Sequence, residues 1–80
     1  MSYIIVKVQK GMFASEKTVS FEAGGQAYSL IVDESDLSAD SRLKVVVLDQ
    51  SQDHLVIRLP RETFTSGRTL KVPRALVVEA

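Results

Sequence analysis

Cysteine is absent from the sequence. That excludes a disulfide framework and any thiolate metal site. Tryptophan is absent too, and aromatic residues of all kinds make up 6% of the chain. The five aromatics are Tyr3, Phe13, Phe21, Tyr28 and Phe64, a thin supply of stacking platforms. Only one histidine, His54, is present. No apolar run approaches the roughly 18 residues a membrane-spanning helix needs; the best is Val45-Val46-Val47-Leu48. The opening MSYIIVKVQK has too short an apolar patch for a secretory signal, and no small-residue cleavage site follows it. A soluble, cytoplasmic protein with no membrane partner is the resulting expectation.

Net charge is also lacking, with ten basic residues against ten acidic ones. A chain that grips nucleic acid through phosphate contacts needs a basic excess. The balance is local in neither half, however. Residues 33–53 hold six acids against Arg42 and Lys44, a net of −4. Residues 58–74 hold five cations against Glu62, a net of +4. Such blocks bear on partner choice more than the total does.

What is present is a rhythm of short apolar runs, broken by turn residues about every ten positions. Hydrophobic residues make up 45% of the 80-residue chain, enough for one compact domain over residues 1–80. The first run, Tyr3 to Gln9, alternates Ile4, Val6 and Val8 against Ile5, Lys7 and Gln9, the pattern of a half-buried strand. Lys17 to Ala23 places Val19, Phe21 and Ala23 on one face, and Gln26 to Val32 does the same with Tyr28, Leu30 and Val32. Gly24-Gly25 between them supplies the positive-φ positions of a tight hairpin turn. The polar stretch Asp33 to Ser41 predicts a single helical turn, capped by Ser35 or Asp36, that tucks Leu37 inward.

Arg42 to Leu48 is apolar on both faces, which predicts a central strand. Leu55, Ile57 and Leu59 line one face of His54 to Leu59. Thr69 to Val72 and Ala75 to Val78 complete the set, with Pro60 and Pro73 marking strand ends or edges. Arg61 to Gly67 predicts at most one helical turn, weakened by its β-branched threonines. The expected architecture is all-β: a small single-domain barrel, SH3-like or OB-like, or a two-layer sandwich of six to seven short antiparallel strands. One or two single-turn helices are its most.

Candidate chemistry is sparse. His54 beside Asp53 lacks any nucleophile elbow, and serine is too common here to point to a triad. The expectation is no catalytic residue. Asp33, Glu34, Asp36 and Asp40 resemble an oxygen-rich cation loop only in composition; the glycine and closing glutamate of an EF-hand are missing. They read as a solvated loop of ordinary acidity, with no metal and no cofactor. The TFTSGRT stretch is not a Walker loop, though its amides and Arg68 suit a small anion.

Two features suit partner contact. Met12 and Phe13 sit in a loop, where they either plug the end of a barrel or remain exposed as an anchor; the plug is the preferred expectation. Arg61, Phe64 and Arg68 gather around the turn that precedes Leu70. The sequence therefore predicts a non-catalytic binding or assembly module, acting on a protein partner or on itself through Met12, Phe13, Arg61, Phe64 and Arg68. The alternative is a barrel that binds single-stranded nucleic acid or another anion through residues 58–74.

Overall fold

A computed structural model of the chain describes every residue except Met12, Ser66 and Ala80. Eight strands are present among the described residues, all paired antiparallel. They are β1 (Ser2–Ile5), β2 (Lys7–Lys10), β3 (Glu16–Ala23), β4 (Gln26–Asp33), β5 (Arg42–Gln50), β6 (His54–Thr63), β7 (Gly67–Pro73) and β8 (Val77–Glu79). Five of them form a sheet in the order β7-β6-β5-β1-β8, and three form a second sheet, β2-β3-β4. The all-β expectation holds. A closed barrel does not form: the pairing leaves two sheets. Beyond Arg58, β6 leaves its register and approaches β4, where the Phe64 N–H donates to the Ser29 carbonyl at 2.9 Å. No ladder develops from that bond.

The first apolar run is not one strand. It breaks at Val6, so that β1 joins the larger sheet and β2 the smaller. The alternation survives the break, with Ile4 buried, Val6 and Val8 half-buried and Ile5 exposed. The β3–β4 hairpin forms in the expected register, with Phe21 opposite Tyr28. Their rings stack at 5.4 Å. Gly24 and Gly25 take φ values of 59° and 77°, the left-handed pair that a two-residue hairpin turn needs.

A 3-10 turn, Glu34–Asp36, follows β4. Its cap is Asp33, two residues ahead of Ser35 and three ahead of Asp36, the expected caps. The Asp33 carboxylate accepts from Ser35, and Asp36 Oδ2 accepts from the Asp33 N–H at 3.0 Å, a reciprocal capping box. Leu37 then packs half-buried against the core. Arg61–Thr63, expected as helical, instead extend β6, because the Thr63 hydroxyl donates to the Gly67 carbonyl at 2.9 Å and closes a strand-end turn. Pro60 sits inside β6, where the ladder register shifts; without an N–H it cannot carry the pairing on. Ala75 to Val78 also departs from expectation. Pro73, with φ −59°, leads into a second 3-10 turn, Arg74–Leu76, before β8 begins at Val77.

The core lies between the sheets. It is built from Ile4, Val19, Phe21, Ala23, Leu30, Val32, Leu43, Val45, Leu55, Ile57, Leu59, Leu70 and Val72. These are the positions that period-two alternation assigns inward on each strand. β5 is the middle strand of the larger sheet, as its sequence predicts. Its outer face is nevertheless uncovered: Val46 is 58% exposed and Leu48 51%. Leu48 is the extra residue of a bulge, since Val47 faces Ile57 and Asp49 already faces Val56.

Candidate functional site

The sequence-predicted contact residues do not converge. Met12 lies outside the described residues. Phe13 is 67% exposed, so it does not plug the fold. The reason is local. Gly11 N–H donates to the Glu16 carbonyl, and Glu16 N–H donates to the Phe13 carbonyl, both at 3.0 Å. Ser15 accepts from the Glu34 N–H at 2.9 Å, which fastens the loop beside the 3-10 turn. A loop pinned in this way holds Phe13 outward. Phe64 is exposed as well, at the β6–β7 turn.

The five cations of residues 58–74 disperse. Arg61 faces Asp36 at 3.7 Å, an exposed pair that contributes little stability. Arg74 ties down the β5–β6 turn, donating to the Ser51 carbonyl at 2.9 Å. Lys71 is exposed on the outer face of the larger sheet, opposite Val56. Arg68 is half-buried, and its Nε donates to the Leu59 carbonyl at 3.1 Å. Arg58 stands on the outer face between Val46 and Thr69. Arg61 and Arg68, expected around one turn, therefore serve different surroundings.

The His54 backbone and several of the acids have structural employment. The His54 N–H donates to the Ser51 hydroxyl at 3.2 Å, and that hydroxyl donates to the His54 carbonyl at 3.1 Å. Ser51 thus serves the backbone of the turn. Asp33 is not of ordinary acidity. The Ser35 hydroxyl donates to its carboxylate at 2.6 Å and the Ser35 N–H at 3.1 Å, and these bonds lower its pKa. The Ser38 hydroxyl does the same for Asp40.

What the structure brings together is a different set. A cleft of about 460 Å³ is lined by residues of β1, β5, β6 and β7 of the larger sheet. Its cationic lining is Lys44, Arg58 and Arg68, its apolar lining includes Met1, Val46 and Pro60, and among the described residues no acid lines it. Lys44 donates from Nζ to the Ser35 carbonyl at 3.0 Å. Among the described residues, none of the three cations is ion-paired. A second groove of about 430 Å³, between Ile5, Phe21 and Leu76, carries Lys7 and Glu22 of opposite sign and so has no charge preference.

Sequence reasoning finds Arg68, and Arg58 as part of the basic 58–74 segment, but not Lys44 or Val46. A signal exists in the phase of the strands. Val46 and Leu48 share the outward phase of β5 with Lys44, and Arg58 is outward on β6. An apolar pattern on both faces of β5 reads as double burial, and the structure buries one face only.

Comparison with known proteins returns no matching family model, no matching curated protein and no matching solved structure. Among the described residues no helix is long and apolar enough to cross a membrane.

Proposed function

We propose that this chain is a small non-catalytic binding module that docks a protein partner on the outer face of its five-stranded sheet. The carrying observation is the pair of uncovered apolar side chains on the central strand, Val46 at 58% and Leu48 at 51% exposure. A central strand is where a sheet ordinarily covers its side chains, and apolar surface there, rimmed by Lys44, Arg58 and Lys71, has the make-up of a contact patch with a polar rim. Phe13 and Phe64 are separate exposed anchors at loop tips and extend the surface available for contact. The non-catalytic part is supported by Ser51, whose hydroxyl is engaged by the backbone of the β5–β6 turn. A cytoplasmic location belongs to the same reading, with the cysteine-free composition as its support. So does a likeness to small SH3-like or OB-like barrels, which the approach of β6 to β4 supports.

The test is site-specific photocrosslinking. A photoreactive residue at Val46 should give a discrete protein adduct in cells, or a dimer if the partner is a second copy. The same residue at Glu22, exposed on β3, should not. Equal labelling at both positions, or none at Val46, would defeat the proposal. Sedimentation equilibrium at several salt concentrations separates self-association from binding of another protein.

A further inference from the structure

We infer that the cleft formed by Lys44, Arg58 and Arg68 takes an acidic, extended peptide segment of the partner, with one aliphatic side chain seated against Val46 and Pro60. This deepens the docking reading and rests on it. Three observations support the occupant.

The first is charge. Three cations line the cleft and, among the described residues, no acid does, in a chain whose total charge is zero. The cleft is therefore a local excess of one sign, which steers and orients an acidic partner. The second is preorganisation. The Nε bond from Arg68 to the Leu59 carbonyl at 3.1 Å orients the guanidinium while leaving its terminal nitrogens for a carboxylate. Lys44 is likewise anchored on the Ser35 carbonyl at 3.0 Å. Two of the three cations thus lose less side-chain freedom on binding than free surface residues would. Arg58 has no partner among the described residues and supplies the mobile third contact.

The third is the character of the apolar part. Val46, Pro60 and Met1 are aliphatic, and no aromatic side chain lines the cleft. Single-stranded nucleic acid is held by base stacking on aromatic faces as well as by cations. Phe13 and Phe64 are exposed elsewhere and line no part of this cleft. The lining suits carboxylates flanking a leucine or valine better than phosphates flanking a base.

The experiment is fluorescence anisotropy on the whole chain with four labelled probes. They are an acidic decapeptide with a central leucine, the same peptide with serine in that place, a basic decapeptide and an oligo-dT strand. The acidic leucine peptide is expected to bind at low salt, to weaken as salt rises, and to lose roughly tenfold in affinity without its leucine, one buried aliphatic group. Arg58→Gln is expected to weaken it at least fivefold. The Arg58 side chain is exposed and makes no hydrogen bond or ion pair among the described residues, so this variant keeps the fold, whereas Arg68→Gln removes the bond to the Leu59 carbonyl. Lys10→Gln, exposed on the smaller sheet and outside the cleft, should leave binding unchanged. Peptide binding unaffected by Arg58→Gln overturns the inference, as does oligo-dT binding more tightly with the same arginine dependence. A wild-type dimer that Arg58→Glu dissociates also overturns it, in favour of a second copy. A crosslink at Val46 together with no peptide binding leaves the docking face standing and removes only the cleft; no crosslink removes both.

Discussion

Val45 and Val46 are neighbours on β5 with opposite surroundings, and threonine at each position gives a sharp measurement. Threonine is nearly isosteric with valine and equally β-branched, so strand preference is held constant. Val45 is 8% exposed, in the core between the sheets. Val45→Thr puts a hydroxyl there among apolar core side chains. An unpaired buried hydroxyl costs about 1–3 kcal/mol in proteins. Val46 is 58% exposed, so the replaced methyl stands mostly in water. Its substitution should stay within about 0.5 kcal/mol. A domain of this size has a total stability of about 4–12 kcal/mol. With a urea slope of about 1 kcal/mol/M, the Val45→Thr midpoint falls by about 1–3 M while that of Val46→Thr scarcely moves. Both curves are to be recorded at two protein concentrations differing a hundredfold. Equal losses at low concentration would refute the assignment of an uncovered outer face. A Val46→Thr loss that grows with concentration would mean that a second copy covers it.

Gly11→Ala should cost about 1–3 kcal/mol, because an added Cβ would stand 2.7 Å from the Glu16 Cβ and 2.8 Å from its carbonyl oxygen. Gly24→Asn should cost less than about 0.5 kcal/mol, since that site has open space and needs only a left-handed φ, which asparagine tolerates. Thermal or urea unfolding of both variants distinguishes a requirement for room from one for backbone conformation; a tolerant Gly11 would contradict the loop geometry. Ser35→Ala should return the Asp33 pKa toward the ordinary carboxylate range, read by carboxyl NMR titration. Because the native pKa is depressed, the Asp33–Ser35 contribution is present above the unfolded value and is lost as pH falls through the folded one. The stability gap between wild type and Ser35→Ala should therefore shrink in acid, and a gap independent of pH would count against this account.

The strands were largely legible because alternation is a local property. Val19, Phe21 and Ala23 on β3 and Leu55, Ile57 and Leu59 on β6 are buried as their phase requires. The failures lie where a non-local contact decides. Nothing in Tyr3 to Gln9 announces the break at Val6, which arises because the two halves pair with different sheets. Phe13 reads as a plug by hydrophobicity alone, yet the bonds among Gly11, Phe13 and Glu16 hold it out. The basic segment 58–74 is continuous in sequence and scattered in space, because strand pairing sends Arg58, Arg61 and Arg74 to different neighbours. Lys44 and Arg58 meet at one cleft only once β5 and β6 are paired, and that register is written in no short window.

The break at Val6 bears on the order of folding. The hairpins β3–β4 and β6–β7 connect residues close in sequence and close small loops. The β2–β3 hairpin is also short-range, whereas β1 must find β5 and β8, and Ser2 meets Glu79 across 77 positions. Such distant pairing is the slow and late part of assembly. β1, Ser2–Ile5, thus acts as a seam sewn after the two panels exist. Ile4, fully buried between Leu43 and Val77, is the tightest stitch in it. Trimming it to valine should speed unfolding far more than it slows folding, as measured by the two arms of a stopped-flow chevron.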